Sequence, residues 1–195
     1  MTDKYRTVAI KRKAVLRLSF TALFAALIAS GAFIAFPPFP YSPVPVVLQN
    51  FFVLLSGLVL GPVQGSAAVI LYLAAGTLGA PVFAGGSGGI ARLAGPTGGF
   101  LFGYLLSAFT AGITAGTPRA GNKTPPWRVA AAVFLGLLAA YVPGVARLKF
   151  ALGGPWTDAL LAGFVPFIPG DIIKGIMVAL AAPRLRRAAA RYLDA

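Results

Sequence analysis

Residues 18–36, LSFTALFAALIASGAFIAF, hold nineteen positions without a charge, preceded by MTDKYRTVAIKRKAVLR (1–17) with six Lys and Arg and closed by Pro37-Pro38. A hydrocarbon core ~30 Å thick needs ~20 such residues in a helix, so this stretch is expected to cross a membrane. A cleaved signal peptide is the competing reading of a basic start before an apolar run, but the run exceeds the usual length of about 7–15 residues. The uncharged sequence does not stop there, because no Lys, Arg, Asp or Glu occurs in the 74 positions from Leu18 to Ala91. Over all 195 residues only 11% are charged, against roughly 25% in an average soluble domain. That length suits about six spans with short connections. The expected fold is all-α, a polytopic membrane protein built as a six-transmembrane-helix bundle.

Proline and glycine set the expected boundaries. PPFPYSPVP (37–45) lacks too many backbone donors to stay helical, and Gly61-Pro62 is a tight break with Pro at a favoured first-turn position. Helices are expected over 18–36, 44–60, 62–78, 96–115, 129–146 and 160–182. The fifth is open to a bent continuation through Arg147 and Lys149, and the sixth carries a proline-marked break at 166–169. Gly99 and Gly103 in the fourth have the spacing that lets a neighbouring helix approach closely. Six spans put both termini on one side. With the N-terminus inside, the basic segment 1–17, the linker 116–128 and the tail 184–195 hold thirteen of the seventeen Lys and Arg. The positive-inside rule then favours an N-in/C-in bundle with the membrane domain at 18–183 between a basic cytoplasmic N-terminal segment and a basic cytoplasmic tail. The net charge of +13 reports topology rather than nucleic acid.

The chain has no Cys, His or Glu, and its acids are Asp3, Asp158, Asp171 and Asp194. Zinc and iron–sulfur sites, thiol nucleophiles and histidine acid–base work all lack their side chains, so no metal, cofactor or enzymatic role is expected. GSGGIA (86–91) echoes a dinucleotide fingerprint without a strand or acidic ribose partner, and no P-loop is present, so any energy for transport comes from elsewhere. An ionisable residue inside a span is a functional candidate by default. Asp171 and Lys174 stand at i and i+3 on one face after FVPFIPG, in the outer half of the last span under the N-in reading. Arg92, in the loop before the fourth helix, is expected on the same side. These three sum to +1, which suits a small monoanion that also offers hydrogen-bond donors. Gln49, Asn50, Gln64 and Tyr72 are polar candidates in or beside spans. On the first helix Ala22, Ala25, Ala26 and Ala29 make two A-x-x-x-A patterns, a smooth stripe for internal packing or for a partner helix.

PVPVVLQN (43–50), GAPVFAGGSGG (79–89), GPTGGFLFGY (95–104) and PFIPGDIIK (166–174) together resemble the BioY family, the biotin-binding substrate (S) components of energy-coupling factor (ECF) transporters, over about residues 15–183. The resemblance implies high-affinity capture of biotin from outside, in the cell (inner) membrane of a bacterium or archaeon, with biotin as cargo rather than cofactor. It further implies a transmembrane T component and two ATPase subunits as partners. Carried over by position, the ligand-binding residues are Arg92, Asp171 and Lys174, with 79–89 as lid and wall. Phe83, Tyr41 and Tyr72 are expected to enclose the bicyclic ring, and Gln49 to line the same cavity. Ala22 and Ala26 are expected to dock the T component. Two departures stand out. Arg147 and Lys149 occupy a region that is more apolar and aromatic in the family, and Gly79-Ala80 replaces a polar lid residue. The competing readings are an S component for thiamine or riboflavin, a membrane enzyme, and a structural membrane partner that binds no small molecule.

Overall fold

A computed structural model describes residues 2–36, 42–121 and 123–193. It contains helices α1 (Thr2–Gly31), α2 (Gln49–Leu60), α3 (Pro62–Thr77), α4 (Ile90–Ala94), α5 (Gly98–Ala115), α6 (Pro126–Leu152), α7 (Trp156–Gly163) and α8 (Ile168–Leu193). A 3-10 turn at Val165–Phe167 joins α7 to α8. Strands β1 (Ala35–Phe36) and β2 (Val46–Val47) pair antiparallel. Among the described residues four stretches are long and apolar enough to cross a membrane: Ile10–Gly31, Gly98–Ala115, Pro126–Leu152 and Trp156–Tyr192. The outward faces carry Phe102, Leu106, Phe109 and Ile113 on α5 and Ile172, Ile173, Ile176 and Leu180 on α8, all exposed. Apolar surface this extensive needs a nonpolar surrounding, and lipid supplies it.

The boundaries differ from those expected in ways that trace to local chemistry. The first helix stops at Gly31 instead of residue 36, and the second starts at Gln49 instead of 44. Between them the chain forms the two-residue pairing, because the prolines of 37–45 cannot donate to a helical ladder. Pro143 does not end the fifth helix, which runs on to Leu152 and terminates at Gly153 in the left-handed conformation. The final helix passes Pro183 and continues to Leu193, so the basic stretch after 183 is helical rather than a tail as far as that residue.

Glycines set how closely the helices approach. A Cβ at Gly103 would collide with the Ala140 carbonyl, and one at Gly99 with the Pro143 carbonyl, so the G-x-x-x-G pair seats α5 directly on the backbone of α6. Gly57 likewise meets the Ala108 carbonyl, and Gly65 meets Gly57, which draws α2, α3 and α5 together. Gly61, at a φ of 84°, makes the one-residue break between α2 and α3. Phe24, Leu54, Leu58, Val133 and Val178 fill the core between α1, α2, α6 and α8.

At the end of the bundle formed by the C-termini of α2 and α5, Arg186 is only 5% exposed. It donates to the carbonyls of Leu58, Ala115 (3.1 Å) and Gly116 (2.8 Å) and to Thr124 Oγ1 (3.0 Å). These carbonyls belong to the final turns, which have no partners within their own helices. A guanidinium satisfies several at once and complements the negative ends of both helix dipoles.

Candidate functional site

The opposite end of α2 opens on a cavity built by the segment 43–50, the 83–97 loop, α5, α6 and the start of α8. Asp171 lies in the first turn of α8, 4% exposed. Its Oδ1 accepts from Asn50 Nδ2 (2.7 Å) and Lys174 Nζ (2.9 Å), and its Oδ2 accepts from the Tyr141 hydroxyl. Lys174 Nζ also donates to Val47 O (2.8 Å) and Asn50 Oδ1 (3.0 Å). Among the described residues Asp171–Lys174 is the sole ion pair. An ammonium has three protons and all three are used, whereas a carboxylate with about four acceptor positions has one to spare. Lys174 therefore holds Asp171 and Asn50 in place, and Asp171 retains the capacity to accept from a ligand.

Backbone chemistry explains why these groups meet. The β1–β2 pairing and the Leu48 N–H bond to Gly31 O (3.2 Å) turn the chain so that the Val47 carbonyl and Asn50 face α8. Buried Ser42 donates to the Ala162 carbonyl and accepts the Val44 N–H (3.1 Å), fastening this segment to α7.

The 79–89 loop is anchored by a ring in a glycine-sized hole. Phe83 packs where any Cβ on Gly76 would stand and meets Tyr72 edge-on at 5.5 Å. The Gly89 N–H bonds Gly76 O (2.7 Å), and Phe83 N–H bonds Ser87 O (2.8 Å). Gly85 and Gly86, at φ 75° and 68°, make the turn between them. Within this loop Ser87 lines the cavity, while Gly79 and Ala80 do not reach it.

Of the residues singled out from sequence, Arg92, Asp171, Lys174, Phe83, Gln49 and Asn50 line this one cavity. Arg92 sits exposed on α4, its side chain making no hydrogen bond or ion pair among the described residues, a free cation at the rim. Tyr72 does not line the cavity in this structure. It is buried behind Phe83, and its hydroxyl receives Gln49 Nε2 at 2.6 Å, so it supports the wall instead of forming it. Gln64, half-buried on α3, does not line the cavity either. Tyr41 lies outside the described residues. Ala22 and Ala26 face outward on α1, whereas Ala25 is buried and Ala29 half-buried, so the two A-x-x-x-A patterns divide between an outer and an inner face.

Sequence reading missed Tyr104, Tyr141, Phe100 and Phe167, which make most of the aromatic lining. Tyr141 stacks edge-on against Phe100 and Phe164, with centroids 6.1 and 4.8 Å away. Tyr104 on α5 stands seven residues after the N-cap residue Thr97 within the quoted GPTGGFLFGY motif, a helical spacing that turns both toward the cavity. Its hydroxyl has no hydrogen-bond partner among the described residues and is available to a ligand. Arg147 is not idle at the surface, since it donates to Ala94 O and Gly95 O and ties α6 to the end of α4. The free interior is about 100 Å³, against about 840 Å³ when the open mouth is counted. A ligand site for a drug-sized molecule spans roughly 300–1,000 Å³.

The arrangement offers one carboxylate acceptor in depth, an aromatic sleeve and a free cation at the rim. The chain matches the family model described as the BioY family over residues 4–191. It is 43% identical over 165 residues to the biotin transporter BioY of Thermotoga maritima, covering 85% of this chain and 92% of that protein. With the probable biotin transporter BioY of Pyrococcus horikoshii it shares 40% identity over 169 residues, 87% of this chain and 95% of that one. The crystal structure of the S-component for biotin from an ECF-type ABC transporter superposes with a TM-score of 0.79 at 30% identity, over 89% of this chain and 92% of that chain.

Proposed function

The chain belongs to the BioY family, and from that premise we propose that it captures biotin and carries it across the cell membrane of a bacterium or archaeon as the substrate-specific component of an ECF-type transporter. It is a transporter subunit and not an enzyme, and biotin is cargo, with no cofactor. The observation that carries the reading is the spare acceptor position of buried Asp171 at the inner end of an aromatic cavity whose rim holds unpaired Arg92. Biotin presents matching groups: ureido N–H donors at one end, an apolar bicycle, and a valerate carboxylate at the other. Asp171 accepts a ureido N–H, Tyr104 offers its hydroxyl, Phe83, Phe100 and Tyr141 enclose the ring, and Arg92 meets the carboxylate. The assignment of Arg92 rather than Lys174 to the carboxylate follows from the three donations Lys174 already makes.

The membrane arrangement we propose has six passes, by α1, α2, α3, α5, α6 and α8, with both termini inside. The thirteen inner basic residues support it, as does the apolar outer surface. A T component and two ATPase subunits supply the energy, because the chain has no P-loop, and the outward Ala22–Ala26 face of α1 is the smooth surface on which the T component would dock. Uptake of labelled biotin tests the whole reading. Cells that lack their own biotin transporter should accumulate it only when this chain is present with those partner subunits; failure to do so with all the subunits in the membrane would refute it.

Arg92→Gln separates the two ends of the ligand. Biotin affinity should fall by up to about fivefold, the range expected of a solvent-accessible charge contact, while affinity for biotin methyl ester stays unchanged. Equal loss for both ligands would move the carboxylate away from Arg92. Equilibrium titration of the two compounds reads the difference.

A further inference from the structure

A second cavity, of about 460 Å³, opens at the Arg186 end of the bundle and is lined by Arg119, Lys123, Thr124, Arg128 and Arg186. Four cations converge on it, and among the described residues no carboxylate lines it. Their bonding states differ. Arg186 spends four of its five N–H donors on carbonyls and Thr124 and forms a fixed, buried floor. Arg128 uses its Nε on Thr114 O (3.0 Å) and keeps its terminal nitrogens free. Arg119 and Lys123 are exposed and make no hydrogen bond or ion pair among the described residues.

The positive-inside rule accounts for charges at this end but asks nothing of their geometry, and like charges around one concavity repel unless an anion occupies it. The linker that carries Arg119 and Lys123 is folded over the ends of α5 and α6 and bonded to α8 through Thr124. Trp127, exposed at the start of α6 beside Arg128, is the amphipathic ring favoured at the level of lipid headgroups. We propose that this cavity binds a phosphate group, supplied by the headgroup of an anionic phospholipid or by free phosphate, with Arg119, Lys123 and Arg128 donating to its oxygens above the fixed charge of Arg186. The site is independent of the biotin cavity, which lies at the other ends of α2 and α5.

Native mass spectrometry of the detergent-purified chain with phosphatidylglycerol or phosphatidylcholine tests the proposal. Phosphatidylglycerol adducts should dominate, and the double variant Arg119→Gln/Lys123→Gln should cut that preference by about fivefold or more. Both residues are exposed and serve no packing role, so the variant is expected to fold. Arg12→Gln/Lys13→Gln, which removes two cations from α1, should leave the preference intact. Displacement of the lipid by millimolar inorganic phosphate would assign the site to free phosphate, and resistance to displacement would assign it to the lipid headgroup. Equal adducts of both lipids with no phosphate bound, or an equal loss in the α1 variant, would overturn the proposal.

Discussion

Asp171→Asn is expected to weaken biotin binding by roughly 30- to 100-fold, about 2–3 kcal/mol, while leaving the chain folded. The substitution keeps the shape of the side chain but removes its charge and turns one oxygen into an NH2 group. That NH2 would face either the donors Asn50 Nδ2 and Lys174 Nζ or the Tyr141 hydroxyl, each of which now has an acceptor there. The position left for a ureido N–H is then lost or weakened to a neutral hydrogen bond. Lys174 loses its carboxylate but keeps Val47 O and Asn50 Oδ1, which limits the cost to stability. Calorimetry gives the affinity and a thermal melt checks the fold. A dissociation constant within twofold of the parent would remove Asp171 from the ligand's contacts.

Arg186→Ala is expected to act in the opposite sense, on stability and not on binding. It leaves the Leu58, Ala115 and Gly116 carbonyls and the Thr124 hydroxyl without their donor. Water can enter through the adjoining cavity and offset part of the loss, so the net cost is about 3 kcal/mol, or a fall in melting temperature of roughly 6–12 °C. Asp171 and Arg186 are fifteen residues apart on α8, about 22 Å along the helix. Biotin affinity of the folded variant should therefore stay within about threefold of the parent. A melting temperature unchanged to within a degree would show that the guanidinium is dispensable to the bundle.

What could be read from the sequence follows the range of the interactions involved. Apolar length, basic flanks and proline breaks are local, so the helices were legible apart from their ends. Gly31 ends the first helix early because the chain must turn into β1, and that turn is closed by bonds to Leu48, seventeen residues on. The i, i+3 pair Asp171–Lys174 and the exposed Arg92 were legible because charge is conspicuous in an apolar chain. Tyr141 was not, since its contact with Asp171 spans thirty residues and nothing in YVPGVARLKF announces which face of α6 points inward. Tyr72 looked like a ligand contact for the same reason in reverse. Its neighbour in space is Phe83, fitted against Gly76, and only that packing puts the tyrosine in the second layer. Arg186 resembled its basic neighbours Arg184 and Arg187 and is distinguished only by the two helix ends that meet around it.

The central claim is that the cavity between Asp171 and Arg92 selects biotin, and calorimetric titration of the detergent-purified chain with biotin, thiamine and riboflavin tests it most directly. The account predicts a tight one-site signal for biotin and none for the other two. Heat from thiamine or riboflavin with silence towards biotin, in a preparation shown by its melt to be folded, would contradict it.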